Sequence, residues 1–248
     1  MDVIELLIVA AVFFLAAFVK GATGMGFSTT ALPMLAVTIG LKEALPLLII
    51  PSLCSNLFVM IKAGGLRKVL IRFRIMFAAT LIGVVFGVLI LNRLDGAQAG
   101  MALGIVLLVW CGFTALHPGF HLPPRLAQPL APVSGMLTGL TNGVTGSQVM
   151  PLLPFLMAQK LPRGELVQAS NISFSLSSLA MAAGLTTIGL MTLESVLISV
   201  LGLLPVALGV SLGTRVGQAL SNRAFTTAVL VVLAISGVTL ILRPFVTV

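Results

Sequence analysis

Two clusters of glycines and hydroxyl-bearing residues lie 118 residues apart in this chain of 248 residues. The first is G-A-T-G-M-G-F-S-T-T-A-L-P-M-L, from Gly21 to Leu35. The second is G-L-T-N-G-V-T-G-S-Q-V-M-P-L-L, from Gly139 to Leu153. Glycine allows a turn, and a helix that restarts after a break offers free N–H groups and the positive end of its dipole. Because hydroxyls and amides add further donors, the chemistry these clusters predict is hydrogen bonding to an oxyanion.

The candidate binding residues come from both clusters, the lysine before the first, and an asparagine in each following apolar segment. They are Lys20, Gly21, Thr23, Gly24, Gly26, Ser28, Thr29, Pro33 and Asn56 in the first half, and Thr141, Asn142, Gly143, Thr145, Gly146, Ser147, Gln148, Pro151 and Asn171 in the second. Asn56 and Asn171 either bind substrate or cap the breaks, because an asparagine in a membrane span is costly unless paired. Lys20 either balances a bound anion, snorkels to the interface or flanks the turn.

The two clusters also define a register between the halves. Gly21 matches Gly139, Thr23 matches Thr141, Pro33 matches Pro151 and Leu35 matches Leu153, which places Thr138 opposite Lys20. Broken apolar segments at corresponding positions in two halves are typical of transporter binding sites. A simpler interpretation is that small residues let membrane helices pack closely.

The composition is that of a membrane protein. Hydrophobic residues make up 58% of the chain and charged residues 8%, against about a quarter charged in soluble domains. Continuous apolar runs of roughly 18 or more residues predict spanning helices. The net charge of +8 comes from Lys and Arg at segment ends, where they set orientation, so no nucleic-acid partner is expected. Cys54 and Cys111 fall in apolar segments and are expected to pack there.

The predicted fold is an all-α polytopic membrane protein with two repeats, residues 1–118 and 122–248. Each repeat has a glycine-broken half-helix hairpin and three spanning helices, giving eight to ten helical segments. The predicted helices are 3–20, 24–40, 44–62, 71–92, 97–116, 126–140, 146–159, 165–189, 193–219 and 224–244. Further internal matches are Gly83 and Gly87 with Gly209 and Gly213, and Asn92-Arg93 with Asn222-Arg223.

The loop charges favour one of two topologies. If each broken segment crosses the membrane once, the repeats are parallel and the basic residues divide seven to six. If each broken segment returns to its own side, ten lie inside, three lie outside and Lys20 lies in the break. The ten are Lys62, Arg67, Lys68, Arg72, Arg74, Arg125, Lys160, Arg163, Arg215 and Arg223; the three are Lys42, Arg93 and Arg243. The second arrangement follows the positive-inside rule and predicts inverted halves; a parallel pair with uneven loop charges remains the alternative.

The ionisable residues do not form a catalytic or metal-binding pattern. All six acids are predicted at segment ends, away from the middle of the membrane, where proton-relay transporters keep a carboxylate. His117 and His121 lie in a Pro- and Gly-rich linker, with no nucleophile beside them. We therefore expect neither an enzyme nor a bound metal or cofactor.

The doubled pattern resembles the TauE/SafE family of sulfite and organosulfonate exporters, which are small bacterial membrane proteins. The resemblance rests on G-x-T-G-x-G-F with Pro33 seven residues after Gly26, on the echo G-x-T-N-G-x-T-G with Pro151, on the polar helix after each copy and on the basic loop. Where the family has consecutive glycines, this chain has Phe27 and Ser28, and Ser147 and Gln148.

The resemblance implies export of small sulfur-containing anions such as sulfite or sulfonates from a multi-pass protein of the bacterial inner membrane. The site would lie at the midplane between the repeats, and one half would rock against the other. The expected partners are the small anion, the lipid bilayer and, as an option the sequence leaves open, a second copy of the chain. The alternative function is a membrane scaffold or assembly protein whose glycine motifs only pack helices.

Overall fold

The structure, a computed structural model, describes residues 1–117, 119–216 and 222–246, apart from the side chains of residues 222–226, 228 and 246. These residues form eleven helices and contain no strand. The helices are α1 (Val3–Thr23), α2 (Phe27–Thr38), α3 (Leu41–Ala63), α4 (Leu66–Arg93), α5 (Gly96–Leu116), α6 (Pro124–Thr145), α7 (Leu152–Met157), α8 (Arg163–Thr187), α9 (Leu193–Leu201), α10 (Leu203–Val216) and α11 (Asn222–Val246).

Five helical stretches in the described residues are long and apolar enough to cross a membrane. They are α1, α3, α4, α5 and the α9–α10 stretch Leu193–Val216. Helix α8 is long enough, but several of its polar side chains are buried inside the protein, including Asn171, Ser173 and Ser177. The predicted all-helical membrane fold is confirmed. The buried polar side chains of α8 show that the interior of the protein is partly polar.

Both chain breaks come later than the first glycine of each cluster. Helix α1 continues to Thr23, where the left-handed Gly24 donates its N–H to the carbonyl of Lys20 at 2.7 Å. Helix α6 continues to Thr145, where the left-handed Gly146 donates to the carbonyl of Asn142 at 2.6 Å. A helix that ends in a left-handed residue favours glycine there, whereas a glycine inside a helix does not end it.

Two predicted helices differ from the observed ones. The predicted 193–219 helix is divided at Gly202, where an added Cβ would overlap the ring of Phe13, and its last three residues, 217–219, lie outside the described residues. The predicted 146–159 helix is reduced to the six residues of α7, which follow a non-helical stretch after Gly146. The expected helix N-terminus directly after the break therefore exists only in the first half, at α2.

Helices of the two halves interlock through glycines. An added Cβ at Gly21 or Gly213 would overlap the backbone of the partner helix in the α1–α10 pair. The same is true of Gly87 and Gly143 in the α4–α6 pair. Small residues at these positions let the helix backbones touch, which is how membrane helices associate.

Helices at corresponding positions in the two halves run antiparallel. Helix α5 packs on α11 so that Gly104 meets Gly237 while the Cys111 thiol points at the carbonyl of Leu230. Helix α3 packs on α8, and its last residue, Ala63, lies by Gly164 at the start of α8. Higher residue numbers on one helix therefore contact lower residue numbers on its counterpart.

Polar contacts tie the chain together at two opposite ends. At one end the terminal amine of Met1 pairs with Glu194 at 3.0 Å. At the other end Lys68 and Arg72 pair with Glu165 at 2.5 Å and 2.9 Å. All of these groups lie at Met1 or within the first two turns of a helix, as expected for the interfacial regions of a membrane protein.

Candidate functional site

Lys20 is the centre of the candidate site. It lies in the last turn of α1 and is only 1% exposed. Its ammonium donates a hydrogen bond to the side-chain carbonyl of Asn56 on α3. Burying a charged group is costly unless an opposite charge balances it, and an amide supplies only a dipole.

None of the six side-chain carboxylates, all of which lie in the described part of the chain, forms an ion pair with Lys20. Each of them is an N-cap or lies in the first turn of a helix, where it complements the helix dipole. The six are Asp2 and Glu5 on α1, Glu43 on α3, Asp95 on α5, Glu165 on α8 and Glu194 on α9. Glu43 precedes Asn56 on the same helix by a distance of about 20 Å along the axis. The predicted placement of acids at segment ends is confirmed.

A cavity of about 10 Å³ adjoins Lys20 and Asn56 and is also lined by the first turn of α2. That turn contains Phe27, Ser28 and Thr29, whose backbone N–H groups begin the helix. The amide nitrogen of Asn56 has no hydrogen-bond partner among the described residues, although it is buried. A lysine, a helix N-terminus and an unpartnered amide donor therefore converge on one point, and all three favour a negative ligand.

A second cavity, of about 20 Å³, lies between Ser28 and Ser52 of the first half and Asn142, Gln148 and Ser178 of the second. Ser28 and Ser52 are hydrogen-bonded at 2.9 Å. None of the residues lining this cavity is charged. Gln148 lines both cavities and therefore joins them.

Both cavities are about the size of one water molecule, which needs at least about 10–15 Å³. An oxyanion with four heavy atoms is larger, so neither cavity has room for one in this conformation.

The structure corrects the register of the repeat. Gly24 and Gly146, which end α1 and α6 in the same way, are 122 residues apart. Thr145 bonds the carbonyl of Thr141 at 2.7 Å, just as Thr23 bonds that of Val19 at 2.9 Å. In this register the counterpart of Lys20 is Asn142, not Thr138, and the counterpart of Asn56 is Ser178.

The register that the sequence predicts, with Gly21 opposite Gly139, is wrong by four residues, which is about one helical turn. A shift of one turn leaves every residue on the same face of the helix. Since Gly139 and Gly143 are themselves one turn apart, a pattern of small residues cannot distinguish the two alignments.

The other predicted residues are not all at the cavities. Gly21 and Gly143 contact the backbones of α10 and α4. The side-chain amide of Asn171 donates a hydrogen bond to the carbonyl of Gly24 at 3.2 Å, so it caps the break at the end of α1. The remaining candidates divide into those that shape the breaks or short helices and those that line a cavity or are buried beside one. The first group is Thr23, Gly24, Pro33, Thr141, Thr145 and Pro151, and the second is Gly26, Ser28, Thr29, Asn142, Gly146, Ser147 and Gln148.

Sequence reasoning missed Ser178 and Phe174 on α8. Ser178 follows Asn56 by the same 122 residues that separate the starts of α3 and α8, Leu41 and Arg163. Comparing the beginnings of the two polar segments would have identified it. Phe174 has no polar signal, and its position beside Lys20 and Asn56 follows only from packing.

The chain matches no curated protein and no solved structure. The family model described as sulfite exporter TauE/SafE matches residues 9–240, which includes all the helices around Lys20. With its multiple apolar helices and a match over nearly its whole length, the chain belongs to the TauE/SafE sulfite exporter family and is a multi-pass membrane transporter.

Proposed function

We propose that the protein exports small sulfur-containing oxyanions, such as sulfite or sulfonates, across the bacterial inner membrane. The site lies near the midplane, where the two glycine breaks meet. Lys20 supplies the fixed charge, and Asn56, Gln148 and the first turn of α2 supply hydrogen-bond donors.

The observation that supports this function is the burial of Lys20 beside a neutral partner. A scaffold that used its glycines only for packing would have no need of a buried ammonium. Such a group is expensive in a membrane protein and usually marks a substrate or ion pathway. A bound oxyanion would provide the missing negative charge and would also satisfy the free amide hydrogens of Asn56.

The interlocked helices limit how the site can open. Because α1 touches α10 and α4 touches α6 through backbone contacts, the sequence halves cannot rock against each other as separate bodies. We infer that α1 moves together with α10 and α4 together with α6. The closed cavities around Lys20 would widen when these pairs tilt relative to α3 and α8.

Binding is tested on purified protein by thermal shift with sulfite, an alkyl sulfonate and a carboxylate of similar size. A ligand that binds only the folded state raises the melting temperature as its concentration increases. We expect sulfite or the sulfonate to give the larger shift, together with flux of the same anion in liposomes. No thermal response to any of the three and no flux would contradict an anion site.

We also propose that the halves have inverted topology, with the acidic N-terminus outside. The antiparallel pairing of α3 with α8 and of α5 with α11 supports it, as do the loop charges. Cysteine labelling in a background without Cys54 and Cys111 tests this: Lys42→Cys should react with an impermeant reagent from outside, and Lys160→Cys only after permeabilisation. Equal labelling of both from outside would exclude the inverted arrangement.

A further inference from the structure

We propose that a groove between the second and third turns of α4 and the first two turns of α6 binds an anionic phospholipid from the cytoplasmic leaflet. The groove has a volume of about 650 Å³ and lies apart from the cavities at Lys20. Lipid binding at this groove depends on the α4–α6 contact and on the proposed inward orientation of the basic loops. It does not depend on what the protein transports.

The groove has an apolar floor and a basic rim. Phe73 and Met76 of α4 form part of the floor, and both are buried. Arg72 and Arg74 form the basic side, while Gln128 of α6 adds an amide. No carboxylate is among the lining residues. An acyl chain with a negatively charged headgroup matches this combination of surfaces.

The position of the groove on α4 indicates that it faces lipid. Large apolar residues of α4 are exposed along one stripe that continues from the groove toward the other end of the helix. They include Ile71, Ile75, Ile82, Phe86 and Leu89. An exposed apolar stripe on a spanning helix is the surface that contacts acyl chains. Since Ile71 and Ile75 also line the groove, its occupant lies beside the bilayer and not in water.

Arg74 is the residue that would select the headgroup. It is exposed at the edge of that stripe, immediately before Ile75 along the chain. It lies about 12 Å along α4 from the start of the helix. A long arginine side chain at that depth extends its guanidinium toward the headgroup level. Arg72 is already paired with Glu165, whereas Arg74 has no carboxylate partner in the described part of the chain.

The measurement is native mass spectrometry of the full-length protein with equal amounts of phosphatidylglycerol and phosphatidylcholine that have identical acyl chains. We expect the wild-type protein to retain phosphatidylglycerol preferentially, by about fivefold for one guanidinium near the membrane surface. Arg74→Ala should reduce this preference to near one. Arg67→Ala removes an exposed charge at the same end of α4 but outside the groove, so the preference should remain.

A second variant tests the groove without removing charge. Ala127→Trp fills the α6 side of the groove, and it should reduce retention of both lipids while leaving Arg74 in place. No preference for phosphatidylglycerol in the wild-type protein would overturn the proposal. An equal loss in the Arg67 and Arg74 variants would also overturn it, because attraction would then come from the basic surface as a whole.

Discussion

The helices that lead into the two glycine breaks end with the same backbone geometry but carry different side chains at the cavities. Gly24 and Gly146 both end a helix in the left-handed conformation, and Thr23 and Thr145 both bond the carbonyl one turn earlier. The positions that face the cavities differ: the first half has Lys20 with Asn56, and the second has Asn142 with Ser178. The shared features are those that a broken membrane helix requires in order to satisfy its backbone.

The difference shows that the two matching helix ends do not carry a matching charge. Among the described residues Lys20 is the only buried charged side chain, and it gives the proposed site one positive charge, with neutral donors and acceptors opposite it. We therefore expect substitutions at the cavities to change anion affinity by different amounts in the two halves. Substitutions at the packing glycines should lower stability by similar amounts in both halves.

The largest expected effect is that of Lys20→Met. Hydrogen bonds to charged groups contribute about 1.5–3 kcal/mol, so anion affinity should fall roughly 10- to 150-fold. Stability without anion should stay equal or rise, because a buried charge is replaced by an apolar side chain of similar length. Thermal shift with and without sulfite measures both effects.

The matched control is Lys42→Met, which removes a lysine from the start of α3, outside both cavities. It should leave the anion response intact. If Lys20→Met loses stability but binds the anion normally, Lys20 has a structural role, and the contrast between the two breaks has no bearing on function.

Replacing a packing glycine with alanine should lower stability by a similar amount in both halves. Gly21→Ala and Gly143→Ala each place a methyl group against a backbone carbonyl, that of Val210 or that of Val84. Overpacking of this kind costs about 1–3 kcal/mol. Equilibrium unfolding in detergent should show similar losses for both variants. Gly112→Ala is the control, since its added methyl group meets nothing within 4 Å. A loss at only one of the pair would show that α1–α10 and α4–α6 are not equivalent contacts.

The smallest expected effect is the difference in anion affinity between the Asn56→Ala and Asn142→Ala variants. Asn56→Ala removes the acceptor that holds the Lys20 ammonium, and a lost hydrogen bond of about 1 kcal/mol weakens anion binding roughly fivefold. Asn142→Ala should weaken it less, because Asn142 faces a cavity with no charged group. Titration with the anion that binds the wild-type protein gives both dissociation constants. An equal or larger effect at Asn142 would place the anion nearer the second break.

Much of the architecture could be predicted from patterns along the chain. The helices α3, α4 and α5 were located to within a few residues, because long apolar runs must be helical in lipid. The positions of α7 and of the α9–α10 division could not be predicted. The first depends on a short non-helical segment after Gly146, and the second on the ring of Phe13, which approaches Gly202 from a distant part of the chain.

The candidate site was predicted as a set of residue types without their individual roles. The sequence singled out Lys20, Asn56, Asn142 and Gln148, all of which lie at the cavities. It also grouped with them Gly21 and Gly143, which contact neighbouring helices. A glycine that permits a turn and a glycine that permits close packing have the same composition signal, and only the backbone conformation and the neighbouring helix distinguish them.

The sequence alone determined the membrane character of this protein, its two glycine-rich breaks and the exclusion of carboxylates from the middle of its helices. These features follow from composition and from the cost of charge in lipid, both of which are local properties. Only the tertiary structure decided that Lys20 meets Asn56, that Asn142 is its counterpart and that α1 touches α10. A one-turn shift preserves every face of a helix, so the register becomes defined only when side chains from distant segments meet.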